Sequence, residues 1–349
     1  MSKKMRVGLL YGGRSGEHEV SLQSGAAVKA HLDPERYDVI PIKIDKEGQW
    51  WSDESPVALL PIPKEGRLLY LDDHRFSEPI DVYVPILHGP LGEDGTIQGL
   101  MEMAEVAYVG SGVAASSVGM DKALMKQAFQ AAGLPLLDYL VTTRREWERD
   151  RETLMKEIEG QIGYPCFVKP AALGSSVGIS RVDSREELGP ALDLAAKYHW
   201  KLIIEVGATP CQEVECSILG NEFPRASTVG EIVPGNVFYD YRAKYIDDNS
   251  QLIIPARIPA ETVEQVRQMS IAAFQAIDGL GLARVDFFVC GQTVYLNEIN
   301  TMPGFTRISM YPKLWEATGL SFSQLMDELI RLALDHHREK SRSLRTYEE

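Results

Sequence analysis

The chain has 349 residues, of which 44% are hydrophobic and 25% are charged, so it has the composition of an ordinary globular protein and the length for two or three domains. Its net charge of −14, from 36 basic and 50 acidic residues, argues against binding to a nucleic acid backbone as the main activity. No apolar run approaches the roughly 18 residues of a membrane span, and the apolar run at 7–11 is too short for the core of a secretion signal.

The N-terminal region alternates strands and helices. Its predicted elements are a strand at 5–11, a helix at 19–32, and strands near 37–44 and 81–87. This order predicts a small parallel sheet in an α/β domain. The loop at 12–16 lacks G-x-G-x-x-G, which argues against a dinucleotide. Glu17 follows this loop at a strand's carboxyl end, where open α/β sheets bind ligands, whereas a helix-capping role accounts better for Glu19.

Polar groups and glycines are interleaved at 88–95, before an amphipathic helix predicted at 96–104. A turn needs one glycine, so three of them indicate close approach of the backbone to a ligand. His88 is either a hydrogen-bonded loop histidine or a proton carrier beside a substrate.

A helix from its N-cap Asp121 to Gly133 precedes a second, α+β unit. Its predicted elements are a strand ending near 142, a charged helix at 144–160, strands at 166–170, 179–182 and 201–205, and a helix at 185–198. Lys169 ends one of these strands, and a Gly/Ser loop at 174–178 leads to the next. Successive N–H groups of such a loop can surround a phosphate, although a flexible hairpin without a ligand is the alternative. Lys122 and Lys244 are further candidate phosphate cations or else solvated charges.

The third region begins with a strand predicted at 213–219. A polar, tyrosine-rich segment at 238–250 is long for a loop inside a compact domain, which predicts a functional lid. Helices are expected at 261–280 and 321–337. The four cysteines, Cys166, Cys211, Cys216 and Cys290, have no CxxC spacing, so reduced thiols and a cytoplasmic location are expected.

A β-hairpin is predicted around a turn at about position 292. This register brings Asp286 nearly opposite Glu298, with Asn300 on the same face. Because like charges directly opposite are destabilising, a cation between them is favoured, and all-oxygen ligands suit Mg²⁺; a solvated hairpin face is the alternative. Arg284 and Gly304 favour an anionic ligand nearby, since arginine adds a fixed charge and glycine permits close approach.

Five segments closely resemble the D-alanine–D-alanine ligases of the ATP-grasp superfamily, in the same order over nearly the whole chain. They are GGRSGEHEVS from residue 12, HGPLGEDGTIQG from 88, KPAALGSSVG from 169, YDYRAKY from 239 and NEINTMPGFT from 297. The resemblance implies a three-domain ATP-grasp fold, with an open parallel α/β domain at 1–121, a central lid domain at 122–205 and a C-terminal domain at 206–349. The last two, both α+β, would sandwich ATP.

The resemblance further implies synthesis of D-alanyl-D-alanine for peptidoglycan, through a D-alanyl phosphate and a tetrahedral intermediate. It implies ATP and two Mg²⁺ ions, with Mn²⁺ as a substitute, and a cytoplasmic homodimer. The related D-alanine–D-lactate ligases carry Phe where this chain has Tyr245, so an amine acceptor is favoured and Tyr245→Phe is expected to raise D-lactate incorporation. A non-catalytic ATP-binding sensor is the alternative of another class.

The family pattern also implies roles for individual residues. These are metal ligands Asp286, Glu298 and Asn300; oxyanion groups Arg284 and Gly304; Glu17 for the first substrate's ammonium, with Ser175 and Tyr245 closing the lid; nucleotide contacts Lys122, Lys169, Ser176, Glu205, Val206, Glu213 and Lys244; and substrate contacts His88, Ser309 and Met310. Some relatives carry Lys at position 206, so Val206 is expected to offer only its backbone N–H.

Overall fold

The computed structural model describes residues 3–174, 177–208, 210–233 and 251–344. Within these ranges the strands form three β-sheets. None of the helices in these ranges has the length and apolar character to cross a membrane.

The first sheet has the strand order β5-β4-β3-β2-β1-β6. Its strands are β1 (Met5–Gly12), β2 (Tyr37–Ile44), β3 (Trp50–Ser52), β4 (Ser55–Leu59), β5 (Leu68–Tyr70) and β6 (Val82–Ile86), and its helices are α1 (His18–His31), α2 (Thr96–Met103) and α3 (Val113–Met120). The strand β1 lies parallel to β2 and β6, which confirms the parallel sheet. The strands β3 to β5 pair antiparallel at its edge and were not predicted, because three to five residues are too few to display a clear period.

The second sheet has the antiparallel order β7-β10-β8-β9. The elements of this region are α4 (Lys122–Ala131), β7 (Tyr139–Thr143), α5 (Arg144–Arg149), α6 (Arg151–Gln161), β8 (Cys166–Pro170), β9 (Ser180–Val182), α7 (Arg185–Tyr198) and β10 (Lys201–Val206). The single helix predicted at 144–160 was wrong. Asp150 leaves the helical region at φ −152° and caps α6 by accepting the N–H of Thr153, so two helices form.

The third sheet has the antiparallel order β13-β12-β11-β14-β15. The elements of this region are β11 (Gln212–Gly220), β12 (Arg225–Val233), β13 (Gln251–Ile253), α8 (Ala260–Ala276), β14 (Gly281–Cys290), β15 (Thr293–Asn300), α9 (Met310–Ala317) and α10 (Phe322–Lys340). The predicted hairpin is therefore present as β14 and β15.

Two of the four cysteines are joined, contrary to the expectation of reduced thiols. Cys211, just before β11, forms a disulfide with Cys290 at the end of β14. Cys166 and Cys216 are buried free thiols. The pairing was not predictable from spacing because 79 residues separate the two partners and only the β11 to β14 pairing brings them together.

The hydrophobic cores are not distributed as one separate core for each sheet. The second sheet and the helices α5 to α7 enclose a core of their own. The first and third sheets instead share a core through α10, whose Leu329 and Leu325 pack among Val84 of β6 and Leu282 of β14. Helix α4 contributes Met125 and Phe129 to a further core under the third sheet. The exact domain boundaries stay a prediction.

Candidate functional site

Three carboxylates lie in a row across three neighbouring strands of the third sheet. Asp286 on β14 is paired with Glu298 on β15, as predicted, and also with Glu215 on β11. The hairpin turn lies between Cys290 and Thr293, slightly earlier than expected. A β-bulge after Asp286 shifts the register and so brings Asp286 opposite Glu298, the pair that was predicted. Bulges of this kind re-aim side chains and are common beside active sites.

Arg284 is the cation within this row. Its Nε and Nη2 each donate to one oxygen of Asp286 at 2.7 Å, and Nε also lies 3.0 Å from Glu215. The side chains of Arg284 and Asp286 are 15% and 14% exposed, so the fork-like pair is largely withdrawn from water and is stronger than a surface pair. The predicted proximity of Arg284 to the acids is confirmed.

The donor set for a metal consists of Asp286, Glu298 and Asn300. Among the described residues no group of three His, Cys, Asp or Glu side chains has an arrangement that could hold a metal ion; Asp286 is engaged by Arg284, and Asn300 accepts the N–H of Met302 through Oδ1 at 2.9 Å. The chemistry of the set nevertheless fits Mg²⁺, since two paired carboxylates and a neighbouring amide offer only oxygen ligands. Glu298 keeps 27% of its side chain exposed, which leaves it accessible to an ion.

The predicted phosphate lysines border the same row of acids. Lys122 lies 3.6 Å from Glu298 and donates to the carbonyl of Leu173 at 3.1 Å, so it touches both the β14–β15 hairpin and the start of the Gly/Ser loop. Burial alone lowers the pKa of Lys169, but Glu205, Glu298 and Glu213 together raise it. Lys169 is therefore held as a cation between the second and third sheets.

Glu205 on β10 is bound by two lysines. Its Oε1 lies 2.7 Å from Nζ of Lys126, and its Oε2 accepts from Nζ of Lys169. Burial by itself would raise the pKa of Glu205, but Lys126 and Lys169 hold it far below the usual range. The carboxylate therefore stays ionised, and each of its two oxygens is engaged by a lysine.

Val206 was expected to offer its backbone N–H to a nucleotide, and this expectation was wrong. The N–H donates to the carbonyl of Asp138 at 3.0 Å. It is engaged because β10 runs on beside the segment that leads into β7. Glu213, two residues before Glu215 on β11, is partly exposed on the same face of the strand.

Glu17 lies where the first sheet meets the Gly/Ser loop. A Cβ added at Gly89 or at Gly174 would lie 2.6 or 2.7 Å from its Oε2, so only glycines allow both backbones to approach the carboxylate this closely. The residue is 8% exposed. The structure therefore brings Gly174, from the predicted phosphate loop, against the predicted ammonium-binding acid.

His88 connects α1 to the segment that follows the β14–β15 hairpin. Its Nδ1 lies 3.1 Å from the carbonyl of Met302 and its Nε2 lies 3.1 Å from Oγ of Ser24. Since a carbonyl only accepts, Nδ1 carries the proton and Nε2 accepts from the serine, whose Oγ in turn accepts the N–H of Phe305 at 3.2 Å. Burial lowers the pKa of His88, although Glu17 and Met302 oppose this. His88 is therefore hydrogen-bonded through both ring nitrogens, and a role as proton carrier beside a substrate stays a prediction.

The loop from Gly304 to the start of α9 is closely packed. Ser309 accepts the N–H of Thr306 at 3.0 Å, and a Cβ at Gly304 would meet Oγ of Ser309 at 2.8 Å. Met310 buries its side chain against Ile232 and Leu314. A substrate contact at Met310 would therefore involve its backbone N–H at the first turn of α9, where helix N–H groups have no internal partner.

Four predicted site residues lie outside the described residues. They are Ser175, Ser176, Lys244 and Tyr245. The predicted lid segment at 238–250 lies outside them as well.

Sequence reasoning missed three buried charged residues of this site. Lys126 is 2% exposed, and Glu215 and Glu93 are 6% and 8% exposed. Alternation with Glu213 was the available signal for Glu215, and the glycine-rich context was the signal for Glu93. Lys126 gave none, because a lysine in an amphipathic helix usually marks its solvated face.

The chain matches two family models. The model described as D-ala D-ala ligase N-terminus matches residues 6–111, and the model described as D-ala D-ala ligase C-terminus matches residues 128–331. The D-alanine–D-alanine ligase of Natranaerobius thermophilus is 49% identical over 99% of this chain and 100% of its own length. That of Thermoanaerobacter sp. (strain X514) is 50% identical over 97% of this chain and 99% of its own length.

Solved structures agree over the same extent. The D-alanine-D-alanine ligase from Coxiella burnetii has a TM-score of 0.87 and 33% identity, with 97% of each chain covered. The VanG D-Ala:D-Ser ligase from Enterococcus faecalis has a TM-score of 0.86 and 34% identity, with 95% of this chain and 100% of its own covered.

Two antiparallel sheets with lysines and carboxylates shared between them, beside a parallel α/β sheet, define an ATP-grasp fold, as in these solved structures. The predicted fold class is thereby confirmed. The chain belongs to the D-alanine–D-alanine ligase family.

Proposed function

We propose that this protein is an ATP-dependent ligase that joins two D-alanine molecules into D-alanyl-D-alanine, with release of ADP and phosphate, for peptidoglycan synthesis. The observation that carries the proposal is the identity of about half the residues, over 97% to 99% of the chain, to D-alanine–D-alanine ligases. The proposal also includes localisation in the cytoplasm and assembly as a homodimer. It includes as well the division into domains at 1–121, 122–205 and 206–349.

The nucleotide binds between the second and third sheets. Lys122 and Lys169 contact its phosphates, because their charges border the acid row. The family pattern adds Lys244 and Ser176 to these phosphate contacts. Glu205 and Glu213 accept from its adenine and ribose, and Val206 borders the same part of the pocket as the neighbour of Glu205 on β10.

The metal-binding residues are Asp286, Glu298 and Asn300, which would hold two Mg²⁺ ions, with Mn²⁺ as a substitute. Bound there, the ions neutralise charge on the transferred phosphoryl group. Arg284 already binds Asp286 at 2.7 Å and so keeps the carboxylate in place.

The first D-alanine binds through its ammonium to Glu17, with Ser175 and Tyr245 completing the closed lid. Its carboxylate attacks the γ-phosphorus of ATP, and ADP leaves. The amine of the second D-alanine, held by Ser309 and the N–H of Met310, then attacks the acyl carbon of the D-alanyl phosphate.

The oxyanion that forms in this second step is stabilised by Arg284 and the N–H of Gly304. Phosphate leaves, the amine nitrogen loses a proton, and the peptide bond remains. His88 acts through position, since its bonds to Met302 and Ser24 hold the segment that carries Gly304.

The test is phosphate release from ATP by the purified protein with a panel of D-alanine, D-serine, D-lactate and no acceptor, with the products identified by mass spectrometry. D-alanine-dependent release with D-alanyl-D-alanine as the main product is expected. ATP turnover that ignores D-alanine would contradict the proposal, and D-alanyl-D-lactate as the main product would support the alternative acceptor.

The metal assignment predicts the effect of Asp286→Asn. One carboxylate is lost from the donor set, so the Mg²⁺ concentration for half-maximal ATP turnover rises and turnover at limiting Mg²⁺ falls by roughly a hundredfold or more. Steady-state rates over a Mg²⁺ titration measure this. Asp335→Asn, at a partly exposed acid on α10, serves as the control, and near-normal turnover of Asp286→Asn at limiting Mg²⁺ would remove Asp286 from the site.

A further inference from the structure

Lys126 is a buried cation that the proposed reaction leaves without a role. It projects from α4, is 2% exposed, and lies 2.7 Å from Oε1 of Glu205. The other oxygen of the same carboxylate accepts from Lys169. A buried lysine is costly unless it is paired and hydrogen-bonded, so its position between these groups calls for a physical reason.

The charge balance of the three residues supplies that reason. Glu205 and Lys169 alone would form a neutral ion pair, in which the negative carboxylate cancels the positive charge of the lysine. With Lys126 on the opposite oxygen, the group carries one net positive charge. Lys169 then retains attraction for an anion at its exposed side, which is 12% accessible, while Glu205 stays ionised.

Lys126 also connects Glu205 to the β14–β15 hairpin. An ammonium has three donors, and Nζ of Lys126 donates a second bond, 3.3 Å long, to the carbonyl of Asn297, the residue before Glu298. It lies 5.7 Å from the centre of the Tyr139 ring as well. One side chain thus contacts β10 of the second sheet and β15 of the third.

We propose that Lys126 is a positioning residue for ATP: it holds Glu205 in place and balances its negative charge, so that Lys169 remains available to the nucleotide phosphates. This inference rests on the proposed function, because it takes ATP as the ligand of that cleft. Lys126 touches neither substrate; it acts through Glu205.

The proposal predicts coupling between two substitutions. Lys126→Met lets Lys169 collapse onto Glu205, so affinity for a non-hydrolysable ATP analogue with Mg²⁺ falls about tenfold, in line with the loss of one charged hydrogen bond. In a Glu205→Gln background the same substitution lowers affinity by less than about twofold, because the group through which Lys126 acts is gone. Isothermal titration calorimetry on the four proteins measures both losses.

A purely structural role gives a different pattern. If Lys126 only filled space, the two losses would add, and the KM for D-alanine would rise together with the KM for ATP; either result overturns the proposal. Lys201→Met is the matched control, because Lys201 pairs with Asp121 at 2.5 Å between the same β10 and α4, with 16% exposure, away from Glu205. It is expected to lower the melting temperature while changing ATP affinity by less than about twofold.

Folding and the wild-type activity are checked in the same series. Should Lys126→Met fail to fold, Lys126→Gln, which keeps a donor for the carbonyl of Asn297 but not the charge, gives the same expected coupling and is overturned by the same additivity. Wild-type protein without D-alanine-dependent phosphate release overturns the proposed function and this inference with it. Active wild type with additive losses overturns the role of Lys126 alone.

Discussion

Glu93 and Glu17 are two buried acids near the carboxyl edge of the first sheet. Burial raises the pKa of Glu93 well above its usual value, and the charge of Glu17 raises it further. The N–H of Gly89, 2.9 Å from Oε1 of Glu93, opposes this shift. Two neighbouring buried carboxylates disfavour ionisation of both at once, so Glu93 holds its proton to a higher pH than an exposed glutamate does.

This shift predicts how stability depends on pH. Because the folded-state pKa of Glu93 is raised above its ordinary value of 4.5, the folded protein binds more protons than the unfolded chain, and its stability falls as pH rises from 4.5 through the folded pKa. Glu93→Gln removes this contribution and flattens the decline by up to about 1.4 kcal/mol per pH unit. Urea unfolding between pH 5 and 8 measures it, with the exposed Glu148→Gln as control. Parallel curves for Glu93→Gln and wild type would contradict the assignment.

Individual site residues differed in how well the sequence revealed them. Asp286 and Glu298 were predictable because a short turn fixes the pairing of a hairpin. Lys126 was not, because its burial depends on Glu205, which reaches it only through the packing of α4 against β10. The N–H of Val206 was misjudged for a similar reason: its partner Asp138 belongs to another segment. The local sequence pattern therefore predicted contacts between residues of one hairpin. Contacts between separate segments depend on tertiary packing, which the local pattern does not show.

At the scale of elements, the Gly/Ser loop meets Glu17 through Gly174. The φ of Gly174 lies outside the left-handed region, so an alanine there is conformationally permitted. The obstacle is the approach of its Cβ to within 2.7 Å of Oε2 of Glu17. This makes Gly174→Ala a test of the contact between loop and acid alone.

We expect Gly174→Ala to lower kcat/KM for D-alanine by roughly tenfold to a hundredfold, because either the loop or the carboxylate must move. Gly160→Ala is the control, since a Cβ there meets nothing within 4 Å in the same region of the chain. Steady-state kinetics with both variants measures the difference. Equal activity of the two would show that the loop does not need to approach Glu17 during turnover.

The disulfide is the second element-scale feature with a measurable consequence. It fastens the end of β14 to the residue before β11 across 79 positions of the chain. Closing a long loop stabilises a protein mainly by restricting its unfolded state, typically by about 2 to 4 kcal/mol.

Thiol titration of the denatured, unreduced protein is therefore expected to find two reactive groups per chain, Cys166 and Cys216, and four after reduction. Reduction is expected to lower the free energy of unfolding by roughly 2 to 4 kcal/mol. A Cys211→Ser/Cys290→Ser variant is the control, because reductant cannot alter its stability in this way. Four thiols before reduction would restore the original expectation from the sequence.

Elements with a clear period were predictable, and short edge strands were not. Helix α7 and strand β2 match their predictions in full, since each has the length to display its own pattern. The strands β3 to β5 are held by pairing with their neighbours, which no local pattern records.

At the scale of the whole molecule, the arrangement of the hydrophobic cores predicts which strands are destabilised when a core side chain is truncated. Leu329 of α10 lies in the core shared by the first and third sheets, and α10 packs on both β6 and β14. Leu192 of α7 lies in the separate core of the second sheet. Both leucines are at most 1% exposed, so truncating either removes the same amount of buried apolar surface.

Leu329→Ala and Leu192→Ala therefore form a matched pair, each expected to cost about 2 to 5 kcal/mol locally. Because α10 bridges two sheets, Leu329→Ala should accelerate hydrogen exchange in β6 and β14 together, whereas Leu192→Ala should accelerate it in β8 and β10 and leave β6 unchanged. Exchange measured by mass spectrometry on peptides from these strands distinguishes the two patterns. If the variant in α10 loosened only one of its two sheets, the first and third sheets would not act as one unit, whereas a response in both would show that their shared core couples them.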